Sequence, residues 1–299
     1  MQNDKLLLHR IRGSEWVLCN IDNIAVGCGM VGWKIMLAIE RRNAILAKLK
    51  EDRKVVVSDL SELYNVTEET IRRDLEKLEA EGLAKKTYGG AVINESLNVE
   101  LPYIVRKKSN VAGKQVIGEL LAKMISDGDH IILDASSTAL FVAKSIKNKK
   151  NLTVITNSIE IMIELSDRKG WKILSTGGLM KDGALSLVGY QAIRMINSFN
   201  VDKAAFSVKG IDIRHGMTDS NESEAQVKMA LIQAAKKKIL AVDSSKFNKI
   251  SFTKVGEIKE VDMVITDRKP SDEWLSKFEA EGIDVIFPEE QGSGINIIK

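Results

Sequence analysis

In the second half of this 299-residue chain, small polar residues and lysines recur at the ends of short apolar runs. They read Asp134-Ala-Ser136-Ser137-Thr138, Thr156-Asn157-Ser158, Thr176-Gly177-Gly178, Lys209-Gly210-Ile211-Asp212, Asp243-Ser244-Ser245-Lys246 and Thr266-Asp267. Hydroxyls, glycine N–H groups and a few lysines suit recognition of a phosphate or a polyol. Any single turn of this kind also serves as an ordinary helix N-cap. Their recurrence favours a binding site over a series of unrelated caps. A different chemistry is offered earlier in the chain by Arg72-Arg73, Lys77, Lys85-Lys86 and Tyr88. These are donors for the phosphates and base edges of a nucleic acid.

The elements that must carry the first set follow from periodicity. Helix 112–125, burying Val116, Leu120 and Met124, precedes apolar runs at 130–134, 152–156, 171–176, 203–208, 238–242 and 262–266. Helical patterns fill most of the gaps. Alternation of this kind predicts an α/β domain with a mostly parallel sheet. In such sheets ligands bind at the carboxyl ends of the strands, where these polar turns fall.

The second set sits on a three-helix pattern. Residues 37–51 place Ile45, Leu46 and Leu49 on one helical face. Ser58 is placed as the N-cap of a short helix burying Leu60, Leu63 and Tyr64, and Thr67 as the cap of a third helix that Gly82 ends. In that third helix Ile71, Leu75 and Leu78 recur at i, i+4 and i+7, so the opposite face carries Glu69, Arg72, Arg73, Glu76 and Lys77. Two helices joined by a three-residue turn read as a helix-turn-helix, whose second helix enters the major groove. Leu83–Thr87 and Ala91–Ile93, turning at Gly89-Gly90, form a two-stranded wing. Residues 36–93 hold eleven basic and eleven acidic side chains, so net charge does not mark a nucleic-acid surface. The grouping of Glu76, Glu79 and Glu81 leaves Arg72-Arg73 and Lys85-Lys86 to converge.

Composition limits the alternatives. Net charge is +3, hydrophobic residues make up 44% and charged residues 28%, as in an ordered globular chain. Cys19 and Cys28 are the two cysteines, which excludes a disulfide scaffold and a cysteine-based structural zinc site and fits a reducing cytoplasm. Residues 1–35 differ in character from the rest of the chain. Their apolar run Ile24–Trp33 is too short to span a membrane, which takes ~20 residues, and no signal-peptide pattern surrounds it. Two expectations stand for this extension: a start at Met36, or a disordered tail.

The run from Ile39 to Val92, above all TIRRDLEKLEAEG followed by GGAV, closely resembles the DeoR family of bacterial transcription regulators. The resemblance implies a winged helix-turn-helix with Ser58, Thr67, Thr70, Arg72, Arg73, Lys77, Lys85, Lys86 and Tyr88 at the DNA. It continues from Pro102 to Asp267 through DGDHIILDASST, LTVITNS, Gly177-Gly178, ESEAQVK and DSSKF. It therefore implies an effector domain similar in fold to ribose-5-phosphate isomerase and the coenzyme A transferases. That domain would sense a phosphorylated sugar or related metabolite. Its implied lining is Asp134, Ser136, Ser137, Thr138, Thr156, Asn157, Ser158, Gly177, Gly178, Lys209, Gly210, Glu224, Lys228 and Lys246. The chain departs from the family loop Asp-x-Gly-Ser-Thr-Thr: Ser136 stands for the glycine and Ala139 for the last threonine. A Cβ at 136 hinders close approach of an anion to the backbone.

The expected organisation is thus an extension (1–35), a winged helix-turn-helix (36–93), a linker (94–109) and an α/β effector domain (110–299). The resemblance implies a homo-oligomeric repressor of a carbohydrate operon, with operator DNA and a metabolite as partners. No membrane, metal or cofactor is expected. The rival is a sugar-phosphate isomerase fused to a DNA-binding domain, with Glu224, Asp212 and Lys209 as base and electrophile. No G-x-S-x-G, Walker A or H-E-x-x-H pattern is present, and a wing would give an isomerase nothing.

Overall fold

The computed structural model describes residues 6–10, 16–20, 37–80, 83–93, 103–289 and 295–298. The chain divides into two units, Met1–Leu37 and Ala38–Lys299. In the first, β1 (Leu6–Arg10) and β2 (Trp16–Asn20) pair antiparallel. The expected extension therefore contains a strand pair. The run at 24–33 and Met36 lie outside the described residues.

The second unit opens with α1 (Ala38–Asp52), β3 (Lys54–Val56), α2 (Val57–Tyr64), α3 (Glu68–Ala80), β4 (Ala84–Thr87) and β5 (Gly90–Ile93). The apolar stripes expected from spacing meet in one small core. Ile45, Leu46, Leu49, Leu60, Ile71, Leu75 and Leu78 are all buried there. Each such side chain stabilises the fold by about 1.5–3 kcal/mol. Three local expectations change. Val56, not Ser58, precedes α2, and Ser58 sits in its first turn donating to Asp59. Leu63 is 60% exposed, because α2 meets the core along Val57, Leu60 and the half-buried Tyr64. The wing gains β3, paired with β5, as a third strand. Gly90 cannot be larger here: an added Cβ would stand 2.1 Å from the Val55 carbonyl oxygen.

Within the expected linker, α4 (Tyr103–Lys108) is helical, with Tyr103 and Val105 buried. Two buried apolar residues inside a polar segment are what tie it down. After it come α5 (Val111–Ala122), β6 (His130–Leu133), α6 (Ser137–Ser145), β7 (Thr153–Thr156), α7 (Ile159–Leu165) and β8 (Lys172–Ser175). The next segment runs β9 (Leu179–Lys181), β10 (Ser186–Val188), α8 (Tyr190–Ile196), β11 (Val201–Phe206), β12 (Gly210–Asp212), β13 (Gly216–Asp219) and α9 (Glu222–Ala234). It ends with β14 (Ala235–Ala241), β15 (Thr253–Gly256), β16 (Met263–Ile265), α10 (Asp272–Ala280), β17 (Asp284–Pro288) and β18 (Ile295–Ile298).

Strand order in the main sheet is β18-β17-β16-β14-β11-β6-β7-β8, all parallel except the pairing of β18. Side chains alternate between its faces. Ile132, Ile155, Phe206, Leu240 and Val264 point toward α8, α9 and α10. Ile131, Val154, Ala205, Ile239 and Ile265 point toward α5, α6 and α7. Both faces are covered, which is why these strands read as continuous apolar runs. Helix α5 buries Leu120 as expected, but alongside Lys114, Ile117 and Leu121; Val116 and Met124 are only half-buried.

Candidate functional site

A cavity of about 470 Å³ opens at the carboxyl ends of the central strands β6, β11 and β14. The turn after β6 contributes Ser136, Ser137 and Thr138; the turn after β11, Ser207, Val208 and Lys209; the turn after β14, Asp243, Ser245 and Lys246. Asp219 ends β13 and Lys228 projects from α9. Of the expected lining, the structure thus brings together Ser136, Ser137, Thr138, Lys209, Lys228 and Lys246.

Lys228 is buried with Asp219 at 3.0 Å and Asp134 at 3.2 Å. Burial alone would lower the lysine pKa, but Asp219, Asp134 and Glu224 outweigh it and hold the ammonium charged. Burial pushes the Asp134 carboxyl upward. Its other oxygen accepts from Ser136 Oγ at 2.6 Å. Glu224 stands behind this group, accepting from Ser186 Oγ at 3.1 Å, with Lys181 3.5 Å away. Burial would raise its carboxyl, yet the charges of Lys228, Lys209 and Lys181 bring it down to about 2.

The remaining expected residues do other work. Thr156 Oγ1 donates to the Leu133 carbonyl at 2.7 Å and accepts from the Ser158 N–H, and Ser158 caps α7. Asn157 donates to the Leu187 carbonyl, fixing the β9–β10 hairpin. Gly178 lies at φ +110° where a Cβ would meet the Val188 carbonyl oxygen at 2.6 Å, and a Cβ on Gly210 would meet that of Lys249 at 2.3 Å. Gly177 and Gly178 follow β8 at one sheet edge and do not line the cavity, and Gly210, packed against Lys249, does not line it either.

Sequence reasoning missed part of the wall. Arg53, between α1 and β3, Arg106 of α4, and Ser109, Asn110 and Lys114 around the start of α5 all line the cavity. One signal was present: Lys114, Ile117 and Leu121 recur at helical spacing, which puts a lysine on the buried stripe. Lys114 Nζ donates to the carbonyls of Arg106, at 2.5 Å, and Ser109. Burial drives its pKa down to about 8; Asp243 opposes this, and Lys246 and Arg106 add to it. In all, seven lysines and arginines line the cavity against Asp219 and Asp243. Such a surface attracts an anion.

The second surface is α3 and the wing. Thr67 caps α3 by accepting from the Thr70 N–H, and its hydroxyl lies 2.9 Å from that of Thr70. Arg72, Arg73 and Lys77 are exposed on the face opposite the core. The two arginines pair with Glu68 and, at 3.2 Å, Glu69, one turn back on the same helix. The wing lysines are not equivalent, contrary to expectation. Lys86 Nζ lies 2.9 Å from Glu76 and its N–H donates to Glu79, whereas Lys85 is exposed and Tyr88 fully so at the tip. Glu76 and Glu79 thus reach the wing across the α3–β4 contact.

A winged helix joined to an α/β domain with a ligand-sized cavity is the build of a DNA-binding transcriptional regulator. Residues 41–97 match the DeoR-like helix-turn-helix domain and residues 109–268 the DeoR C terminal sensor domain. The chain is 40% identical to the HTH-type transcriptional regulator YulB of Bacillus subtilis, over 78% of this chain and 90% of that protein. It is 37% identical to the transcriptional repressor GlcR of the same organism, over 84% and 96%. Against the glycerol-3-phosphate regulon repressor of Escherichia coli the identity is 29%, over 79% and 93%. This chain belongs to the DeoR family of transcriptional regulators. A ribose 5-phosphate isomerase from Plasmodium falciparum aligns at 12% identity over 62% of this chain and 98% of its own, with a TM-score of 0.35. A likeness of that size says nothing about chemistry. Among the described residues, no helix is long and apolar enough to cross a membrane.

Proposed function

We propose that this regulator is a repressor of a carbohydrate-utilisation operon, released from its operator when a phosphorylated sugar or related metabolite fills the cavity. One observation carries the reading: seven cationic side chains and three small hydroxyl residues of the β6–α6 turn line a space of about 470 Å³. A sugar phosphate supplies the matching dianion and hydroxyls. Relatives named as repressors of a glycerol-3-phosphate regulon and of an aga operon support the same class. Ser58, Thr67, Thr70, Arg72, Arg73, Lys77, Lys85, Lys86 and Tyr88 form the proposed DNA surface. A homo-oligomer goes with it, since one recognition helix reads few base pairs and two-fold operators need two. The protein acts in the cytoplasm, where its DNA is. The metabolite shifts the equilibrium only by its differential affinity for the DNA-competent and DNA-incompetent arrangements.

The isomerase alternative finds less support. Asp212, its candidate base, accepts from the N–H groups of Arg214 and His215 and from the His215 ring at 2.7 Å. Glu224 does not line the cavity. The test is a gel-shift on the native upstream DNA with sugar phosphates titrated in, alongside a chromatographic assay for isomerised product. Release without turnover supports the proposal; turnover, or no complex at low ionic strength, overturns it. Lys246→Ala is expected to form the complex and to need more metabolite for release.

A further inference from the structure

The cavity wall is drawn from both sides of the segment that joins the two domains. Arg53 comes from the winged helix, Arg106 from α4, and Lys114 and Lys246 from the α/β domain. Helix α4 is fastened at both ends of this arrangement. Val105 is buried in the winged-helix core, while the carbonyl of Arg106 accepts from Lys114 Nζ at 2.5 Å. Arg53 stands at φ +66°, a backbone conformation uncommon for a residue that is neither Gly, Asn nor Asp.

Two groups of the cavity away from this seam, Ser136 and Lys228, are held by neighbours of their own. In the β6–α6 turn, Ser136 Oγ accepts from the Ala139 N–H at 3.0 Å, taking a first-turn amide that an anion would otherwise use. The same oxygen donates to Asp134. Lys228 is matched by Asp134 and Asp219, so its neighbourhood suits hydroxyl donors better than a dianion.

We propose that the phosphate of the effector is held at the seam by Arg53, Arg106, Lys114 and Lys246, with its hydroxyls toward Asp219 and the β6–α6 turn, so that the ligand itself ties the DNA-binding domain to the sensor domain. This rests on reading the cavity as the effector site. Arg53 is then the residue through which occupancy reaches the winged helix. A ligand bound only to the sensor domain would lack that route.

Hydrogen exchange of the full-length chain with and without saturating inorganic phosphate tests it, with phosphate affinity measured by calorimetry on wild type, Arg53→Gln and Arg53→Lys. Phosphate is expected to slow exchange at both Lys54–Val56 and Tyr103–Lys108. Arg53→Gln is expected to weaken phosphate binding about tenfold, the size of one charge-assisted hydrogen bond, and to abolish protection at Lys54–Val56. Arg53→Lys, which keeps the charge, is expected to recover most of the affinity. Protection confined to Ser136–Ala139, with undiminished affinity in Arg53→Gln, overturns the bridge and leaves the cavity as the effector site. Absence of phosphate binding in wild type overturns both.

Discussion

Asp74, on the recognition helix, accepts from Arg41 Nε of α1 at 2.6 Å, and both side chains are almost wholly buried. Arg42 adds a second guanidinium at 3.5 Å. The pair fixes the roll of α3 on α1, and so the direction in which Arg72 and Arg73 point. Asp74→Ala strands Arg41 without a counter-charge and is expected to cost about 3–5 kcal/mol of stability. Replacing both partners by apolar residues of similar size is expected to cost much less. Urea denaturation of the two variants checks it; equal losses would mean that the pair matters through packing alone.

Arg72→Ala and Arg73→Ala are expected to lower operator affinity by about 1–3 kcal/mol each where the arginine reads a guanine. Their ion pairs with Glu68 and Glu69 are exposed and within one helix, so stability is expected to change by less than about 0.5 kcal/mol. Fluorescence anisotropy on the operator duplex, with a melting curve for each variant, separates the two effects. Unchanged affinity in both variants would remove α3 from the groove.

On the wing, Lys85→Ala is expected to weaken binding to all sequences alike and to lower the salt slope by about one. Lys86→Ala is expected to do less, because Lys86 must leave Glu76 before it meets a phosphate. Equal losses would show that the Glu76 contact is given up freely on DNA, and a sequence-selective loss would place the wing in a groove.

Lys114 gives the cavity a pH dependence. Its folded pKa of about 8 lies below the ordinary lysine value of 10.5, so the fold disfavours the charged form. The unfolded chain holds that proton more tightly. The stability penalty is therefore full below pH about 8 and is relieved as pH rises toward 10.5. Anion binding has the opposite sense: it favours the ammonium, and affinity falls as pH climbs through about 8. Sulfate is a suitable probe because its own charge is constant there. The decline in sulfate affinity above neutrality is expected to flatten in Lys114→Met; an identical profile in the variant would assign the titration elsewhere.

Much of this protein was legible as sequence because its signals are local. Ile71, Leu75 and Leu78 set the buried stripe of α3, and with it the exposed place of Arg72 and Arg73, by helical period alone. The apolar runs ending in Asp134, Thr156, Asp243 and Thr266 marked a parallel sheet with polar turns at one edge, since a strand covered on both faces has to be apolar throughout. Tertiary structure decided which turns share a cavity. Thr156 and Ser158 have the residue types of a ligand site, yet their hydroxyls are taken by the Leu133 carbonyl and by backbone N–H groups. Arg53 and Arg106 have none of those signals, and the fold of the chain between them puts both on the wall. The reason is one of range: spacing along the chain fixes which face a side chain occupies, whereas its partners are fixed by strand order and by where distant segments meet.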